Sequence, residues 1–318
     1  MRTVQRRFTL TGAAVALASA ALLVAGCGTG PSHVGSAAIV GDTVLPLEQV
    51  QQRLDVVLKK EPEAQKLHDQ RKLDQVARQL VTLGVQHELI EQAARREGVS
   101  VSEEDVTESV DQAGGAEVAS QNTVYDAATF RERAKDQLLL VELARKYVDR
   151  MEVTFDYFFT KDNAEAIEKA KQVAADPAKM AEFIADAPQG VEGQALSKEG
   201  QRVRSAESPQ AAQSPLFGVP AGTVVAFAPD PSSAQWIVAH VTDRKTDVRA
   251  SGESSTEQLT PQLLEQIGLR LVQTLAGDPE IQVNPRYGLW DGTAISLAPS
   301  EGELSGYQAT VRVRQTSS

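Results

Sequence analysis

The chain has 318 residues, 42% of them apolar and only 5% aromatic, with 32 basic against 43 acidic side chains and a formal charge of −11. That length gives room for about two domains. An acidic chain repels phosphate backbones, so nucleic acid is excluded as an expected partner, and the shortage of rings argues against stacking platforms for bases or sugars.

The first segment reads as an export signal. MRTVQRRF is a positive n-region and the sixteen residues LTGAAVALASAALLVA are an apolar h-region, short for a membrane-spanning helix. Residues 1–26 carry Arg2, Arg6 and Arg7 and no acid, so without them the net charge deepens by three, to −14. The segment ends in Val24-Ala25-Gly26-Cys27, and Cys27 is the only cysteine in the chain. This resembles a bacterial lipobox, in which the thiol takes a diacylglyceryl group and becomes the mature N-terminus. The expectation is a signal peptide over 1–26, lipidation at Cys27 and a lipid anchor on the extracytoplasmic face of the membrane. One cysteine permits no disulfide within the chain, so packing must hold the fold.

Residues 27–36 are rich in Gly, Ser and Pro and read as a flexible tether. In AAIVGDTVLP, Ala38-Ile39-Val40, the turn Gly41-Asp42 and Val44-Leu45 predict a short hairpin, with Pro46 in the first turn of a helix. Leu47, Val50, Leu54, Val57 and Leu58 give that helix an apolar stripe. A longer helical pattern covers 66–97 through Leu73, Val76, Ala77, Leu80, Leu83, Gly84, Ile90 and Ala94, and Gly98 stops it. Ser102 caps the next helix with Asp105 three residues on. A loop over 113–123 precedes a helix from Asp126 to about Met151. Residues 37–151 are thus an all-α module with a small hairpin.

The pattern changes at 152. EVTFDYFF is β-rich, 162–186 reads as helix restarted at Asp176-Pro177, and 188–215 reads as irregular. GTVVAFAP and SAQWIVAHVTDRK then read as strands. Residues 152–248 are expected to form a small α+β domain, followed by a polar linker over 249–258. Thr260 and Pro261 open a last helix whose stripe is Leu263, Leu264, Ile267, Leu271 and Leu275, ended by Gly277. The tail from 296 to 318 is polar and reads as disordered.

The last helix has no helical neighbour close in sequence, so its stripe must be buried on something distant. Ile281-Gln282-Val283 and Ile39-Val40 are each too short to stand alone. Pairing them predicts a mainly α domain, split in sequence and closed by residues 259–295, with an α+β insert. Val283, Tyr287 and Trp290 would then pack on the N-terminal module, with Pro285 fixing the bend; the alternative is that Trp236 and Trp290 line a peptide groove.

That organisation, with IVGDTVLPLEQV, LVTLGVQHELIEQAARREGVSVSEEDV and the closing VNPRYGLWD, resembles SurA-type periplasmic chaperones and PrsA-type lipoprotein foldases over about residues 37–290. The resemblance implies an exported protein whose partners are unfolded or newly exported polypeptides, with no cofactor. It also implies that the insert is parvulin-like. Active parvulins, which are peptidyl-prolyl isomerases, place one histidine in the first strand and another in the last. Here Tyr157 or a neighbour stands at the first position and Trp236 near the second; His240 is the domain's only histidine. Catalysis is therefore not expected, and Tyr157 and Trp236 remain as possible peptide-binding residues. An active isomerase and an adaptor lipoprotein of an envelope complex are the alternatives. His33, in the tether, and His68 and His87, on helices, read as solvated side chains and not metal ligands. Glu103, Glu104 and Asp105 read as helix-start acids.

Overall fold

A computed structural model describes residues 35–187, 197–230, 234–249 and 259–312. The expected hairpin forms as β1 (Ser36–Val40) and β2 (Thr43–Pro46), turning at Gly41. Pro46 closes β2 and caps α1 (Leu47–Lys60), one position earlier than its expected place inside the helix. The single helix expected over 66–97 is two: α2 (Pro62–Asp69) and α3 (Leu73–Glu97). The break falls at Arg71, which adopts φ 59° with no Gly or Pro to announce it. Gly98, at φ 64°, ends α3 in the left-handed conformation that costs glycine nothing.

Ser102 accepts from the Asp105 amide and the Asp105 carboxylate accepts from Ser102 in return, a capping box that starts α4 (Glu103–Gln112). The loop over 113–123 contains one short turn of helix, α5 (Ala116–Ala119). Lys60 Nζ donates to the carbonyls of Ser120 and Tyr125 and so ties this segment to the end of α1. Asp126 caps α6 (Ala127–Tyr147).

The α+β lobe is built on β3 (Glu152–Thr160), α7 (Asn163–Ala175), α8 (Lys179–Asp186), β4 (Ser197–Arg204), β5 (Thr223–Phe227) and β6 (Trp236–Lys245). Asp176-Pro177 separates α7 from α8, but not as the expected cap and first-position proline: Asp176 ends α7, and α8 starts at Lys179 behind Ala178 with no side-chain cap. The stretch 188–215 is not wholly irregular: it contains β4 and a 3-10 turn at 211–213, with a second 3-10 turn at 215–218. The tail from 296 is likewise not disordered throughout. Its residues supply β9 (Ser296–Ala298) and β10 (Gly306–Thr310), and β10 runs antiparallel to all of β5. The lobe's sheet has the order β10-β5-β6-β3-β4, every pair antiparallel. One face packs on α7 through Phe158, Val224, Ala226 and Val238. The other joins the main core through Phe155, Val225, Ala239 and Val241.

The two ends of the chain meet as expected. The last helix, α9 (Pro261–Leu275), buries Leu264, Ile267, Leu271 and Leu275 against α3 and α6. After it, β7 (Ile281–Val283) pairs antiparallel with β1, giving the sheet order β2-β1-β7. Then come a 3-10 turn at 285–287 and the hairpin of β8 (Leu289–Asp291) with β9. The fold is therefore mainly α with an α+β insert, its helical part split in sequence and closed by a C-terminal helix and strand. The insert is seated on α9: Thr274 Oγ1 donates to the Gly218 carbonyl at 2.7 Å and Arg270 Nε to that of Gln213 at 2.8 Å. The assigned linker, 249–258, lies outside the described residues except for Arg249.

Candidate functional site

The segment 279–290 does two things at once. The Asn284 amide donates to the Ala37 carbonyl and the Gly41 amide to that of Glu280. Even-numbered residues of this segment thus turn their backbone groups toward β1. By strand alternation the N–H and C=O of Ile281 and Val283 point the other way. Among the described residues β7 pairs with β1 alone, so that outer edge is unfilled.

An open groove of about 530 Å³ runs along it, lined by Pro279, Ile281, Val283, Pro285, Leu289, Trp290 and Pro299, with Gln273, Gly288 and Glu301 as its remaining walls. Pro285 sets the bend, Asn284 Oδ1 accepts from the Arg286 amide, and Gly288 at φ 112° carries the chain into β8. Tyr287 is buried, and its carbonyl accepts from Arg78 Nε of α3 at 3.1 Å. Trp290 is half-buried against the main core, with its indole N–H donated to Gln273 Oε1 at 3.3 Å. The aromatic anchor is thereby held in one orientation by the helix that closes the domain. A free strand edge beside fixed apolar side chains can accept an extended peptide by strand addition, with the side chains supplying unspecific apolar contact. The sequence placed Val283, Tyr287 and Trp290 as packing residues, with a groove at Trp290 as the alternative; the structure has Trp290 both packed on the core and lining a groove.

The two possible peptide-binding residues in the insert do not converge. Tyr157 sits in an aromatic row on β3, 5.7 Å from the Phe155 ring and 5.9 Å from that of Phe159, on the sheet face that joins the main core. Trp236 pairs with Thr160, three residues along, and packs on the opposite face against the α7 cluster. No single ligand on one face of the sheet touches both. His240 lies directly across from Asp156, whose carboxylate accepts from the Gly200 amide at 2.7 Å. Burial lowers the His240 pKa, opposed by the nearby Asp156 charge.

His87 is not the solvated histidine expected. Its Nδ1 lies 3.0 Å from both oxygens of Asp136, a buried acid on α6. The hydrogen bond to Asp136 raises the imidazole pKa above its usual value, while burial pushes the Asp136 carboxyl up. Around this pair the charges are matched: Arg53 with Glu132 at 3.1 Å, Arg133 with Glu265 at 3.0 Å and Lys135 with Glu91 at 2.7 Å. The network ties α1, α3, α6 and α9 together and neutralises itself, which makes it a brace and not a ligand site. His68 pairs with its neighbour Asp69 on the surface. Among the described residues no three His, Cys, Asp or Glu side chains converge as metal ligands. Cys27 and His33 lie outside the described residues, and among those described no helix is long and apolar enough to cross a membrane.

Residues 1–151 match the model of the SurA-like N-terminal domain family. No curated protein matches the chain. Among solved structures the chain is similar to the peptidylprolyl isomerase PrsA of Bacillus anthracis, at 16% identity over 63% of this chain and 96% of that one, with a TM-score of 0.23. It is similar to the foldase protein PrsA of Lactococcus lactis at 11% identity over 78% and 94%, TM-score 0.27. A third likeness is to a SurA-like chaperone of Campylobacter jejuni, at 11% identity over 79% and 99%, TM-score 0.22.

Proposed function

We propose that this chain, whose residues 1–151 match the model of the SurA-like N-terminal domain family, is an extracytoplasmic, lipid-anchored chaperone-like protein that binds unfolded or newly exported polypeptides without catalysis. The observation that carries the reading is the groove beside the free edge of β7, with Trp290 fixed at its wall. Unfolded chains offer extended backbone and scattered apolar side chains. A strand edge recognises the first whatever the sequence, and an apolar groove takes the second with weak, redundant contacts. The absence of histidine from β3, where Tyr157 stands, supports binding without isomerisation. The lipobox at Val24-Ala25-Gly26-Cys27 supports the anchor.

The test is aggregation suppression of a chemically unfolded client by the full chain in mild detergent. Trp290→Ala is expected to weaken client binding roughly tenfold, as loss of a buried aromatic anchor does. Val283→Pro removes an N–H that faces the groove and not β1; it is expected to weaken binding while the melting temperature stays close to that of the parent. A protease-coupled prolyl peptide assay on the same preparation should show no turnover. Failure of the parent chain to suppress aggregation at several-fold molar excess would sink the client reading. The anchor is read separately: Cys27→Ala should move the protein from the membrane fraction to the soluble one, and an unchanged distribution would refute lipidation.

A further inference from the structure

A second cavity, of about 440 Å³, lies where the α+β lobe meets α9 and the 291–305 segment. Its floor is cationic. Arg270 reaches in from α9, its Nε donating to the Gln213 carbonyl and its Nη1 to that of Thr293, each at 2.8 Å. Its Nη2 makes no hydrogen bond among the described residues, and no carboxylate there lies within ion-pair distance of it. Asp291 acts on Arg270 through space, but the Asp291 carboxylate is already spent on the amides of Thr293, Ala294 and Ser305. Burial lowers the guanidinium pKa to about 10, so it remains charged at neutral pH. Ser214, on the same wall, has its hydroxyl buried with no hydrogen-bond partner among the described residues. Phe227, Pro215, Ala228 and Pro229 form an apolar patch in the lining, and Gln210, Gln213, Thr293 and Ser305 make the rest of it polar.

A withdrawn cation without a matched acid, next to a hydroxyl without a partner, is an arrangement that an anion would complete. The planar fork of arginine suits a carboxylate, and the patch around Phe227 suits a hydrocarbon group attached to it. We propose that this cavity binds the carboxylate of a polypeptide, through Arg270 Nη2 and Ser214 Oγ, with the adjoining side chain against Phe227. That the carboxylate arrives on a polypeptide rests on the client-binding reading; that the cavity takes a carboxylate does not.

The experiment uses the full chain and three fluorescent peptides: one ending in leucine with a free carboxylate, its C-terminal amide, and the amide with an internal glutamate. The free acid is expected to bind at least about tenfold more tightly than the amide, the effect of one charge-assisted hydrogen bond. Arg270→Gln should erase that difference. So should Ser214→Glu, which places a carboxylate of the chain's own beside Arg270, and the melting temperature of each variant shows that it is folded. Trp290→Ala should leave the difference intact. If the glutamate peptide binds as well as the free acid, the pocket stands and side-chain carboxylates are among its ligands. Equal binding of acid and amide by the parent chain overturns the proposal, as does a difference that survives in folded Arg270→Gln; Arg270 is then only a clasp between α9 and the insert. If aggregation suppression fails while the acid–amide difference holds, the client reading falls and the carboxylate pocket remains.

Discussion

A chain ending at Gly277 is expected to lose cooperative folding of its helical domain. The deletion takes away β7, and with it the ladder that satisfies the far edge of β1. It also removes Tyr287, Ile295 and Leu297, all buried in the core shared with α3 and α9. Each such side chain contributes about 1.5–3 kcal/mol on burial, against a total stability on the order of 5–15 kcal/mol. Three bonds that pin this segment to α3 go too: Arg78 Nε to the Tyr287 carbonyl, Gln86 Nε2 to that of Ile295 at 2.7 Å, and the Leu297 amide to Thr82 Oγ1 at 3.1 Å. Thermal unfolding followed by circular dichroism should show a broad transition, or none, where the parent shows a sharp one. A shorter deletion from residue 304 separates the two lobes' shares. It removes β10 alone, exposes the edge of β5, and should lower the transition of the α+β sheet while β7 still closes the helical domain. A chain ending at 277 that melts at the parent's temperature would mean that the ends do not depend on each other.

The return of the chain to its start was legible because two deficits pointed at the same answer. The stripe Leu264, Ile267, Leu271, Leu275 needed a surface that no neighbouring segment offered, and two strands of three to five residues each needed a partner. What stayed hidden has physical reasons. β4 (SKEGQRVR) is an edge strand with a single apolar residue, Val203, so it lacks the apolar alternation by which strands are recognised. β10 does alternate, with Tyr307, Ala309 and, just past its end, Val311 packed on the insert's core, but the pattern is short and sits in a tail whose overall composition is polar. The break between α2 and α3 rests on one positive φ at Arg71, a residue type that gives no warning of it. The pairing of His87 with Asp136 spans 49 positions and depends on how α3 and α6 cross. The groove was half visible: its residues were singled out first as packing groups, with Trp290 as a groove residue only in the alternative. Whether an aromatic turn is filled or left open depends on where Pro299 and Glu301 come to rest, and those belong to a tail that reads as disordered.

Substituting Gly268 by alanine is expected to destabilise the protein even though it improves the helix. Gly268 lies in the middle of α9, a place where glycine costs about 1 kcal/mol relative to alanine. On propensity alone Gly268→Ala should raise the melting temperature. The crossing with α6 forbids it. A Cβ built on Gly268 would lie 2.1 Å from the carbonyl oxygen of Leu140, 2.7 Å from its carbonyl carbon and 2.9 Å from its Cα. All three are backbone atoms, so no change of rotamer can make room. The helices must separate by more than an ångström, and the flanking contacts of Ile267 and Leu271, both fully buried, are loosened with them. Overpacking of this kind costs about 3 kcal/mol, more than propensity returns. For a chain of this size that is a fall of about 4–8 °C. Gln266→Ala, on the exposed side of the same helix, should leave the melting temperature nearly unchanged. Adding Leu140→Ala to Gly268→Ala should not rescue the fold, because the obstructing atoms stay where they were. Rescue would show that the clash is with a side chain, and that α6 and α9 do not approach through their backbones.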